Sequence, residues 1–187
     1  YSLSGEEQVR LYSATSHNDG FVALMVDNSD DELVLLITDD EAGEASITRS
    51  EASLRNFSRN ASVGSDGGSI LAVTHLWGDS ILGQIFDFDA SGALQSTSNI
   101  PGGTAGSSRI EESTVVDGSV VALSRSESAL HWVRYNRSAA VLEGPLLIDR
   151  FLDRRSSFIW SPTFAEVGAG FGIAYEDQQD ITKAVRV

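Results

Sequence analysis

Cysteine is absent from the 187 residues. Disulfides, thiolate metal sites and a cysteine nucleophile are therefore excluded. Lysine is almost absent as well: Lys183 stands alone beside twelve arginines, a coding bias that fits a GC-rich bacterial genome. Basic residues number 13 against 27 acidic ones, for a net charge of −14. The excess is uneven, with 19 acidic and 5 basic residues in positions 1–120 and 8 of each in positions 121–187. Phosphate binding needs clustered Lys and Arg, so the field repels nucleic acid and anionic membrane surfaces, and neither nucleic acid nor direct membrane insertion is expected. The acidic field favours cationic partners, metal ions or plain solubility. Long hydrophobic runs are missing; LVLLI at 33–37 is far too short to cross a bilayer as a helix. A sustained 3.6-residue apolar period is missing too, and residues 149–157 (DRFLDRRSS) offer one helical turn at most. The opening YSLSG has neither the basic nor the apolar region of a signal peptide.

What the chain does contain is a hairpin written four times. The copies open on Gly20 (GFVALMVD), Gly68 (GSILAVTH), Gly118 (GSVVALSR) and Gly170 (GFGIAYED), at spacings of 48, 50 and 52 residues. From each glycine to the end of the second apolar run, at Ile37, Phe86, Tyr135 and Val187, the distance is 17, 18, 17 and 17. A period near 50 built only of strand-like pieces predicts a repeat array of sheets. The approximate units are 8–53, 54–100, 107–153 and 156–187, in one repeat domain covering 1–187. A chain of this size buries roughly 70% of its unfolded surface.

Each unit reads as three or four antiparallel strands in meander order. QVRLYSATSH at 8–17 alternates, Asn18-Asp19-Gly20 turns, and FVALMVD is apolar on both faces, so both faces must be covered. ELVLLIT and a more polar strand around 45–48 complete the first unit. In the second, GSILAVTHLW and SILGQIFDF are clear, and 93–100 begins an outer strand, whereas the serine-rich stretch 54–66 shows its strand only weakly. The third runs RIEESTVVD, GSVVALSR, ALHWVRY, VLEGPLLID, and its Pro145 suits an edge strand, where a missing amide donor costs little. The fourth runs SFIWSPTFAEV, GFGIAYED, ITKAVRV.

Glycine-led second strands and Asp-rich turns make the chain resemble β-propeller repeats over nearly its whole length. The resemblance implies an all-β propeller, or propeller fragment, of four blades. It does not extend to WD40 blades, whose Trp-Asp pair is absent, nor to sialidase propellers, of whose box Ser65-Asp66-Gly67-Gly68 is only an echo. An all-β sandwich is the competing fold. The fourth unit stops after its third strand. Either residues 1–7 supply a closing strand, or four blades form an open arc completed by a second copy or a longer chain.

Repeat position selects the first candidate site. Seven residues after each opening glycine stand Asp27, His75, Arg125 and Asp177, expected on one rim of the array. Two carboxylates with an arginine and a histidine suit acid–base work on a glycoside, and polar strand ends meeting water are the plainer reading. Asp87, Asp89 and Ser91, before Gly92, have the oxygen spacing of half a calcium loop. The twelfth position from Asp87 holds Ser98 rather than the required Glu, so an Asx turn competes with Ca2+ binding. Trp77 and Trp132 offer faces for sugar stacking, although with Trp160 they occupy non-equivalent repeat positions, as packing residues would. No G-x-S-x-G elbow is present. The expected function is a non-enzymatic module, extracellular or at a bacterial cell surface, contacting a protein partner or a second copy through blade rims or faces. The alternatives are a propeller that binds or hydrolyses glycans and a part of a larger assembly.

Overall fold

The computed structural model describes residues 9–27, 32–39, 44–50, 57–76, 80–102, 109–126, 129–150, 160–167, 170–176 and 182–186. Among them every element is a β-strand, and the strands form four antiparallel meanders. The first sheet holds β1 (Val9–His17), β2 (Gly20–Asp27), β3 (Glu32–Asp39) and β4 (Glu44–Ser50) in that order. The second holds β5 (Phe57–Ser65), β6 (Ser69–Leu76), β7 (Ile81–Asp89) and β8 (Leu94–Pro101). In the third are β9 (Arg109–Val116), β10 (Ser119–Arg125), β11 (Ala129–Tyr135) and β12 (Val141–Arg150). The fourth has β13 (Trp160–Val167), β14 (Gly170–Glu176) and β15 (Thr182–Arg186). Residues 1–7, the expected closing strand, lie outside the described residues.

Local chemistry explains the meanders. The β1–β2 and β9–β10 hairpins turn at Asn18 and Asp117, whose φ of 49° and 48° lies in the left-handed region that Asn and Asp adopt more readily than other non-glycine residues. The β7–β8 and β11–β12 turns are one device used twice. Asp89 Oδ1 accepts from Ser91 N–H (2.9 Å), Ser91 Oγ–H (2.7 Å) and Ala93 N–H (3.0 Å). Asn136 Oδ1 accepts from Ser138 N–H (3.0 Å), Ser138 Oγ–H (2.8 Å) and Ala140 N–H (2.9 Å). The left-handed residue of each turn is Gly92 (φ 85°) or Ala139 (φ 60°). Pro145 lies in β12, an edge strand of the third sheet, where no neighbour needs its missing donor.

The core lies between sheets. Val22, Leu24, Val26, Leu33 and Leu35 of the first sheet meet Ile70, Ala72, Phe86 and Phe88 of the second. The opposite face of the second sheet, with Leu71, Val73 and Ile85, meets Ile110, Val120, Ala122 and Val133 of the third. Strand β6 is therefore covered on both faces, which is why SILAVTHL carries apolar residues at odd and even positions alike. Phe86 and Phe88 are fully buried and stack with centroids 6.5 Å apart. Each contributes roughly 2–3 kcal/mol of burial free energy. The third sheet's outer strand is different: Val141, Leu142, Leu146 and Leu147 of β12 are all exposed. In β8, the matching strand of the second sheet, the large exposed apolar residue is Leu94.

Candidate functional site

Among the first strands of the sheets, β5 lies beside both β1 and β9 without sharing a ladder with either. Each is an edge strand of its own sheet, so half of its backbone N–H and C=O groups point away from the sheet. Side chains tie these edges together. Val63 N–H donates to Ser13 Oγ (3.4 Å), joining β5 to β1. Ser62 Oγ and Ser113 Oγ are 2.7 Å apart, and Asn60 Nδ2 donates to the Glu111 carbonyl (3.3 Å), joining β5 to β9. Gly64 permits the approach, because a Cβ there would stand 2.6 Å from Val115 Cγ1. His17 closes the first gap, its Nδ1 2.7 Å from Ser65 Oγ and its Nε2 3.0 Å from the Ala90 carbonyl.

The three strands line a pocket of about 510 Å³ that opens to solvent, within the size range of small-molecule sites. Its lining includes Ser13, Thr15, Asn60, Ser62, Glu112 and Thr114. Among the described lining residues Glu112 carries the only formal charge. Its Oε1 accepts from Ser113 N–H (3.1 Å) and its Oε2 from Asn60 Nδ2 (3.3 Å). Burial pushes its carboxyl above the usual glutamate range, with those two hydrogen bonds opposing. Neither neighbour is a cation. Glu111, next in sequence, differs: Arg109 Nε is 2.6 Å and Arg125 Nη1 3.2 Å from its Oε1.

The repeat-equivalent residues fall elsewhere. Asp27, His75 and Arg125 occupy matching ends of β2, β6 and β10 and are 0%, 1% and 8% exposed, so they face protein rather than an open rim. Asp27 takes Arg49 (2.9 Å), Arg125 takes Glu111, and His75 Nε2 takes Ser113 Oγ (2.8 Å). Asp177 lies outside the described residues, as does Trp77. Trp132 is 3% exposed within β11 and offers no face for a sugar. Asp87 pairs with Arg137 (3.1 Å), and the Asp89 carboxylate is held by its own turn. A neutral Asn136 builds the same turn, so what the turn uses is the oxygen and not the charge. Those hydrogen bonds, led by Ser91 Oγ, hold the Asp89 carboxyl below its usual range. The described residues contain no group of three or more His, Asp or Glu arranged to hold a metal ion.

His75, Ser113 and Ser62 form a chain of hydrogen bonds from the core to the pocket. A serine hydroxyl 2.8 Å from a histidine nitrogen is the contact that nucleophilic hydrolases use. Here its surroundings oppose that use. Burial depresses His75 to a pKa of about 3, leaving the neutral ring a weak base. Its Nδ1 has no hydrogen-bond partner among the described residues to orient the ring, and Ser113 is only 4% exposed. The pocket residues Ser62, Ser113, Asn60 and Glu112 escaped sequence reasoning. The available signal was the recurrence of serine at 13, 62 and 113, at spacings of 49 and 51 residues. Compared with known proteins, the chain matches no protein-family model and no curated sequence.

Proposed function

We propose that the chain is a non-enzymatic binding module of propeller type, with the four sheets as blades and β1, β5 and β9 lining the central axis. The observation that carries this reading is the convergence of those strands on an open pocket lined by hydroxyls, an amide and one carboxylate. The exposed apolar residues of β12 supply a second surface, suited to a protein partner or another copy of the chain. The acidic, cysteine-free composition suits an extracellular or cell-surface setting in a bacterium. Glycan binding fits the hydroxyl-rich lining. Glycan hydrolysis fits less well, because it ordinarily uses two facing carboxylates, and the second nearby, Glu111, is clamped by two arginines.

Two measurements together test the reading. Mapping of backbone amide shifts against a library of small polar ligands is expected to give hits centred on β1, β5 and β9. A screen of chromogenic glycosides and esters is expected to give no turnover. Turnover abolished by Ser113→Ala or Glu112→Gln would replace the binding module with an enzyme.

A further inference from the structure

Glu112 is the feature of the pocket that its surroundings leave unbalanced. It is half-buried, its two hydrogen bonds come from a neutral amide and a backbone N–H, and no arginine, lysine or histidine pairs with it among the described residues. Other buried or half-buried carboxylates are compensated: Asp27 by Arg49, Glu111 by Arg109 and Arg125, Asp87 by Arg137. A desolvated carboxylate without a counter-charge is costly, and in a solvent-connected pocket a ligand can supply the missing charge. Around it stand hydroxyls of Ser13, Thr15 and Thr114 and the amide of Asn60, which recognise further polar groups on the same ligand. The net charge of −14 draws cations toward the chain from solution.

Resting on the reading of the pocket as a binding site, we infer that it takes a primary ammonium group carried on a small hydroxylated molecule of amino-sugar type, with Glu112 as the counter-ion. The same ammonium chemistry is carried by a lysine side chain of a partner, and the experiment separates the two sources. Amide shift titrations at about pH 6.5 and 0.15 M salt compare glucosamine, glucose, N-acetylglucosamine and acetyl-lysine amide on the intact chain. The salt level screens diffuse attraction, so localised shifts in β1, β5 and β9 report the pocket.

Glucosamine is expected to move those resonances and to bind at least about tenfold more tightly than glucose or N-acetylglucosamine, which lack the charge at the same ring size. Glu112→Gln, which removes the charge and keeps one of the two accepting oxygens, should lower glucosamine affinity about tenfold and leave glucose unchanged. Acetyl-lysine amide binding as tightly as glucosamine, with the same dependence on Glu112, would support the ammonium and assign it to a partner's side chain. Equal binding of glucosamine and glucose would overturn the inference while leaving a binding pocket in place. No localised shift with any of the four would overturn the pocket itself. The comparison among ligands uses the unmodified chain, so it stands whether or not the variant folds.

Discussion

Acidification from about pH 7.5 to about pH 5 should cost the fold roughly 2 kcal/mol through His75 alone. The ring is 1% exposed at the end of β6, and burial depresses its pKa from 6.5 to about 3. The unfolded chain therefore binds a proton below about pH 6.5 that the folded chain refuses until about pH 3. Stability from this group is complete above the unfolded pKa and is lost as the pH falls below it. At about pH 5 the unfolded state has gained a factor of roughly 30 in weight, which is about 2 kcal/mol. His131, also lowered by burial, adds in the same direction. Glu112, raised by burial, opposes it at the bottom of the window, and Asp66 and Asp89, both lowered, act only at lower pH. Urea unfolding across this range is the assay. With a slope of about 2 kcal/mol per molar urea, the midpoint should fall by about 1 M in the parent chain. In His75→Gln the fall should be much smaller, whatever the variant's starting stability. The same fall in both chains would refute the burial of a neutral His75 as its cause.

Two further outcomes follow from the geometry. Asn136→Asp should leave the thermal midpoint unchanged, because that turn uses one side-chain oxygen, whereas Asn136→Ala should cost about 1 kcal/mol. Asp89→Asn, which loses the Oδ2 acceptor of Gln95 and the carboxylate that the turn favours, should lower the midpoint. Gly64→Ala should cost about 2 kcal/mol by driving a methyl into Val115, and combining it with Val115→Gly should recover at least about 1 kcal/mol of coupling. Additive costs in that cycle would mean that β5 and β9 do not touch at these residues.

The strands were legible where burial on both faces left an apolar run, as in β2, β6 and β10. Strand β5 was weak in the sequence for a physical reason. It is an edge strand, and its Asn60, Ser62 and Gly64 meet β9 and the pocket rather than an apolar core. The equivalence of Asp27, His75 and Arg125 was legible from spacing, but their burial was not. It depends on Arg49, Ser113 and Glu111, which only the assembled sheets bring close. Pairing by Asx chemistry at Asp89 was readable as a turn, and Asn136 confirms that role by repeating it without charge. Glu112 carried no local pattern, because its environment comes from strands about 50 residues apart.

The convergence of first strands is tested most directly by a cysteine pair, for which the cysteine-free chain is a clean background. Ser62 Oγ and Ser113 Oγ are 2.7 Å apart across the β5–β9 gap. Ser62→Cys with Ser113→Cys should oxidise within the folded monomer, joining the two peptides in a proteolytic mass map and losing about 2 Da. Two thiols that remain free in the folded chain, or that link only between molecules, would contradict the arrangement of β5 against β9.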